Sequence, residues 1–143
     1  MTTIPPVKLQ AFAAVFTVGD VGRSLPFFCD RLGFREHFRL GDPVSYAIVE
    51  RDAVSIHLMP ASDSPETLGH SSIYVFAADT DALHAELQAL GCPIEVPPAD
   101  FVYGMREMSV RDPDGNRITF GQEVRTTVPR APSPPLAGEM DTP

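Results

Sequence analysis

Tryptophan is absent from this chain, so any aromatic surface has to be built from its nine phenylalanines and three tyrosines. Cysteine is nearly absent as well. Cys29 and Cys92 stand far apart, in no C-x-x-C or other metal-spaced cluster, so neither a cysteine metal site nor a disulfide or catalytic thiol is expected. Cys29 falls in a helical pattern where a small buried hydrophobe belongs. Basic residues are few, eleven Lys and Arg against nineteen Asp and Glu, and they form no cluster. A formal net charge of −8 then argues against a nucleic-acid backbone as partner and favours a neutral or cationic ligand. No apolar run approaches the roughly 20 residues that span a bilayer, which excludes a membrane helix. The start, MTTIPPVKLQ, lacks the apolar stretch of a signal peptide, and a cytoplasmic location is expected. Finally, the chain has no GxSxG and no phosphate-binding glycine loop, and no Ser/His/Asp order can be placed together.

What is present is 143 residues, 43% of them apolar, enough for one domain with a real core or two small modules that share one. Residues 1–9 read as an N-terminal extension, 10–62 as a first module, 63–70 as a linker, 71–123 as a second module and 124–143 as a proline-rich tail without a core of its own. FAAVFTV, Phe12 to Val18, has the pattern of a strand. RSLPFFCDRLG follows as a helix, with Leu25, Phe28 and Leu32 on one face, Pro26 in its first turn and Gly33 as a left-handed stop. FREHFRL, VSYAIVE and AVSIHLM alternate or run apolar as strands. After the spacer the pattern repeats: strand SSIYVFA, helix TDALHAELQALG with Leu83, Leu87 and Leu90 on one face, then the extended segments CPIEVPP, MREMSVR and RITFGQ.

The halves correspond in number. Asp20 and Asp79 are offset by 79−20 = 59, whereas Leu25/Leu83, Leu32/Leu90 and Gly33/Gly91 share an offset of 58, so one residue is gained or lost between strand and helix. Each half is βαβββ, and neither alone has enough core to bury its sheet.

DPDGNRITFGQE places acidic or amide side chains at the first, third and fifth positions and glutamate at the twelfth, the ligand spacing of a calcium loop. Such a loop needs glycine at its sixth place, where this chain has Arg117. The stretch reads instead as a turn over Asp112 to Asn116, with a positive φ at Gly115 or Asn116, followed by the last strand.

The stretches VGDVGRSLPFFCDRLGF, AADTDALHAELQALG and REMSVRDPDGNRITF resemble the vicinal oxygen chelate superfamily, which includes glyoxalase I, extradiol dioxygenases, fosfomycin resistance thiol transferases and bleomycin resistance proteins. The resemblance covers about residues 10–123 and is nearest to the bleomycin resistance proteins. It implies an α+β fold of two βαβββ modules forming a half-open, mixed-sheet barrel with a concave ligand cleft. It also implies a homodimer that sequesters an aromatic, cationic antibiotic without altering it. The tryptophans such proteins use for stacking are missing here. The alternative the superfamily implies is a divalent-metal-dependent lyase, dioxygenase or thiol transferase.

Glyoxalase-type members hold their metal with side chains of the first, fourth, fifth and eighth strands. The matching positions here are Ala13, His57, Ser72 and Thr119. A methyl group is no ligand, and a neutral hydroxyl lacks the charge that offsets stripping water from the ion. His57, and His70 two residues before Ser72, are the weak metal candidates, and no cofactor is expected.

Strand alternation then assigns the cleft. Val15 and Thr17 point into it from the first strand, and Ser55, His57 and Met59 from the fourth. Ser72, Tyr74 and Phe76 do so from the fifth, joined by Arg117 and Thr119 from the eighth. Phe101 and Tyr103, in the loop before the seventh strand, overhang the edge. Such a floor suits a flat conjugated ligand.

Overall fold

The computed structural model describes residues 3–124. Residues 3–13 carry no regular structure, and β1 begins at Ala14. The first module is β1 (Ala14–Val18), α1 (Val21–Pro26), a π-helical turn (Phe27–Arg31), β2 (Arg35–Leu40), β3 (Tyr46–Arg51) and β4 (Val54–Pro60). A short 3₁₀ turn (Pro65–Thr67) leads to β5 (Ser72–Phe76), α2 (Thr80–Ala89), β6 (Val96–Asp100), β7 (Met105–Arg111) and β8 (Arg117–Glu123). The strands make two four-stranded mixed sheets of matching order, β1-β4-β3-β2 and β5-β8-β7-β6, and neither closes on itself. In each, the outer first strand runs parallel to its neighbour and the rest are antiparallel. The proline-rich tail expected over 124–143 lies outside the described residues from 125 onward.

Both helices start alike because aspartate caps both. Asp20 accepts from the Arg23 amide at 3.0 Å and Asp79 from the Ala82 amide at 3.0 Å, each satisfying an otherwise unpaired first-turn donor. Gly33 and Gly91 end the helices at φ 71° and 75°. The odd residue in the repeat sits inside the first helix, not between strand and helix as the sequence suggested. There Leu32 N–H donates to Phe27 C=O, five residues back, at 3.1 Å. A π turn takes up one extra residue without losing the helix's direction. Pro26 is therefore the sixth residue of the helix rather than part of its first turn.

One apolar cluster draws on both modules. Phe16, Phe28, Leu32, Ile56 and Leu58 from the first meet Leu87, Met108, Val110 and Ile118 from the second, all buried. Phe28 is central, edge-on to Phe16, Phe27 and Phe34 at 6.0, 5.4 and 6.2 Å between ring centroids. Two arginines bridge the modules: Arg31 donates to Gly91 C=O at 2.9 Å, and Arg51 to Glu86 at 2.8 Å and Leu32 C=O at 2.9 Å. The CPIEVPP segment forms a strand only from Val96. Proline cannot donate to the ladder, and the pairing skips from Val96↔Ser109 to Ala99↔Glu107 across Pro97 and Pro98.

The DPDGN stretch is a turn, and more than a turn. The Asp112 carboxylate accepts from the amides of Asp114 and Asn116, at 3.0 and 2.8 Å, and from the Asn116 side chain at 2.8 Å. Gly115 takes the positive φ, 102°. The fully buried Asn116 then accepts from Ser71 N–H at 2.9 Å and donates to Thr17 C=O at 3.1 Å, tying β1 to the start of β5.

Candidate functional site

Alternation along the strands decides which side chains stay accessible. Phe16, Val18, Ile56, Leu58, Ile118 and Phe120 face the core. The neighbours Val15, Ser55, His57, Met59, Ser72, Tyr74, Phe76 and Thr119 are half-buried or exposed on the opposite faces. The register pairs Val15 with His57 in one sheet and Tyr74 with Thr119 in the other, so the two faces are built alike.

The face of the first sheet is polar at its centre. His57 Nδ1 and the Tyr46 hydroxyl lie 2.8 Å apart, with the rings edge-on. Thr17 does not join this face: it is 2% exposed, hydrogen-bonded to the Thr67 hydroxyl beneath the connecting segment. The sequence pattern could not show that cover, because it comes from the linker.

The second face carries the aromatic floor. Tyr74 is 40% exposed and Phe76 80%, with ring centroids 5.2 Å apart. Tyr74 lies across Gly121, where a Cβ would fall 1.8 Å from its hydroxyl oxygen, and donates to Glu107 at 2.7 Å. Gly121 is therefore the space the ring occupies. Burial, then the hydrogen bond to Glu107, pushes the Tyr74 phenol well above its ordinary range, so it stays a donor. Hydrogen bonding to Glu107 first, then burial, raises Tyr103 as well. Phe101 and Tyr103, in the turn before β7, stack at 5.6 Å and 15°.

Tyr46, Glu107 and Gly121 were not singled out in the sequence. For Glu107 the signal existed: Met108 and Val110 point inward along MREMSVR, which turns Glu107 to the open face.

The far end of this face is charged but internally compensated. Glu95 accepts from Ser109 at 2.9 Å and Arg117 at 3.0 Å, and also from Arg111. The Arg111 hydrogen bond, above all, holds the Glu95 carboxyl at about 2 against an ordinary value of 4.5. A depressed carboxyl contributes stability above the unfolded value and loses it as pH falls through the folded one. Glu95 is exposed, and solvent screening limits its worth to within about 1 kcal/mol. Acid denaturation should therefore show wild type losing slightly more stability than Glu95→Gln as pH falls from about 4.5 to about 2. Identical pH slopes would contradict a stabilising role for the Glu95 ion pairs.

The metal positions can be judged by their chemistry. Ala13 offers no donor, Ser72 and Thr119 offer neutral hydroxyls, and His57 has one ring nitrogen engaged by Tyr46. Among the described residues no three His, Cys, Asp or Glu side chains gather into a metal-binding group, at His57, at His70 or elsewhere. This donor set does not fit the superfamily's divalent ion. The side chains that mark each face, Tyr46 with His57 and Tyr74 with Phe76 and Glu107, pair within their own sheet. A cavity of about 390 Å³ lies on the helix side between Leu32, Phe34, Val54, Leu83 and Glu86, and it reaches Val75 and Phe76 at the end of β5.

Two mixed sheets of this order, each with one helix on its back, define the paired βαβββ architecture, and the comparisons agree. Residues 10–120 match the family model of the Glyoxalase/Bleomycin resistance protein/Dioxygenase superfamily, and the chain belongs to that superfamily. It is 31% identical over 136 residues to a bleomycin resistance protein of Geobacillus stearothermophilus, covering 82% of this chain and 99% of that one. Among solved structures it is similar to the bleomycin-binding protein of bleomycin-producing Streptomyces verticillus, in complex with copper(II)-bleomycin. That match has a TM-score of 0.64 and 29% identity, over 80% of this chain and 97% of the other. It also shares its fold with TnmS3, an antibiotic binding protein from a Streptomyces species, with a TM-score of 0.64, 22% identity and coverage of 82% and 99%.

Proposed function

We propose that this protein binds a flat, aromatic antibiotic on its open sheet faces and sequesters it without chemical change. The observation that carries the reading is the pair Tyr74 and Phe76. Both are large rings on a regular strand, yet both are left substantially exposed, Phe76 at 80%. Stacking against them gives a conjugated ligand large contact area at small entropy loss. The bleomycin resistance proteins to which the chain is similar support an antibiotic as ligand. Thr119 supports binding over chemistry, since it stands where an enzyme of the superfamily would have glutamate.

The same reading takes the protein as a homodimer. Ile4, Val7, Leu9 and Phe12 are each at least 85% exposed, and Phe38 and Leu40 on the edge strand β2 are about half exposed. Single exposed apolar residues are ordinary, but this many along an arm and an open edge suits a second copy that covers them. Sedimentation would test the dimer. A monomer at tens of micromolar would contradict it.

Calorimetric titration with copper(II)-bleomycin tests the function. Binding at micromolar Kd or tighter is expected, and Phe76→Ala should weaken it about tenfold, the equivalent of about 1.4 kcal/mol. No heat at high micromolar concentration, or an unaffected Phe76→Ala variant, would contradict the assignment of this face.

A further inference from the structure

Glu107 stands out among the charged groups of the open faces. It is half-buried on β7, and no described arginine, lysine or histidine forms an ion pair with it. Its sequence neighbour Arg106 is held by Asp81 and Asp100, at 3.0 and 2.9 Å. Arg111 and Arg117 are both committed to Glu95. What holds Glu107 is the Tyr74 phenol, at 2.7 Å, with Tyr103 close to the same carboxylate. A phenol is a neutral donor. It orients a carboxylate without cancelling its charge, and the carboxylate keeps further lone pairs for other donors. A continuous run of groups results: Phe76, Tyr74, Glu107, Tyr103 and Phe101, four rings and one negative charge that no described cation pairs with. The opposite end of the face, at Glu95, is neutralised by its arginines.

We propose that Glu107 is the cation anchor of this face, so that the preferred ligand is a planar aromatic cation lying on Tyr74 and Phe76 with its positive end at the Glu107 carboxylate. This rests on the binding role assigned above and adds to it an orientation and the residue responsible. The physical basis is twofold: a carboxylate among apolar rings attracts a cation more strongly than one in open water, and the ring faces add cation–π attraction.

The test uses two probes of one shape, N-methylacridinium, permanently charged, and acridine, neutral at mildly alkaline pH. Wild type should bind the cation about tenfold or more tightly than the neutral ring. Glu107→Gln, which keeps an acceptor for the phenol and removes the charge, should bring the ratio of the two affinities close to one. In wild type the preference should also shrink as salt rises from about 0.05 M to about 0.5 M. Equal binding of both probes by wild type, or a preference that survives in Glu107→Gln or is indifferent to salt, overturns the anchor and leaves the aromatic site standing. Failure of wild type to bind either probe overturns the aromatic site and the anchor with it. Should Glu107→Gln fail to fold, Glu107→Ser takes its place with the same ratio of affinities as readout, because at a chain charge of −8 salt dependence alone does not assign the effect to Glu107.

Discussion

Replacing Asn116 with leucine should destabilise the protein by about 3–5 kcal/mol, measured as a lower urea midpoint at unchanged slope. The side chain is fully buried, and the turn and both modules converge on it. Its loss leaves the Ser71 amide without an acceptor and takes one donor from the buried Asp112 carboxylate. Thr17 C=O keeps a partner, the Gly69 amide at 3.3 Å, so its share of the cost is smaller. Burial already raises the Asp112 pKa, so stripping a donor from it adds to a penalty in place. A loss below about 1 kcal/mol would mean that the turn is decoration on the fold rather than its lock.

Gly121→Ala should do the reverse, sparing the fold and damaging the site. The backbone there needs no left-handed conformation, and alanine is ordinary in a strand. The added methyl, however, would meet the Tyr74 ring at 1.8 to 2.8 Å, so the ring must leave its seat over β8. With it goes the hydrogen bond to Glu107, and the Tyr74 phenol should titrate nearer its ordinary value, followed by ultraviolet absorbance. Affinity for copper(II)-bleomycin should fall about 10- to 100-fold, the range expected for losing one stacked aromatic. If the phenol titrates normally while binding is unchanged, Tyr74 is no part of the floor.

These residues show where sequence reasoning reached and where it stopped. The repeat was legible because strand alternation, aspartate caps and glycine stops are local, and each module writes them out again. The facing of Tyr74, Phe76 and Glu107 follows from the same period of two. What could not be read was whatever depends on neighbours distant in the chain. Thr17 has the correct phase for the open face and is buried by the linker at Thr67. Tyr74 reaches Glu107 only because β5, β8 and β7 lie side by side with Phe76, Gly121 and Glu107 in register. The π turn hid as a shift in numbering, since a helix that absorbs one residue keeps its apolar face nearly unchanged. Glu95 was passed over because its arginines, at 111 and 117, reach it from β7 and β8, the second of them 22 residues away.

The central claim is sequestration without chemistry, and recovery of the ligand tests it most directly. Copper(II)-bleomycin would be incubated with the protein, the complex separated from free drug, the protein denatured, and the released drug weighed by mass spectrometry. The account predicts drug retained at a fixed ratio to protein and recovered at its original mass. Drug that fails to stay with the protein, or returns with an altered mass, would contradict it.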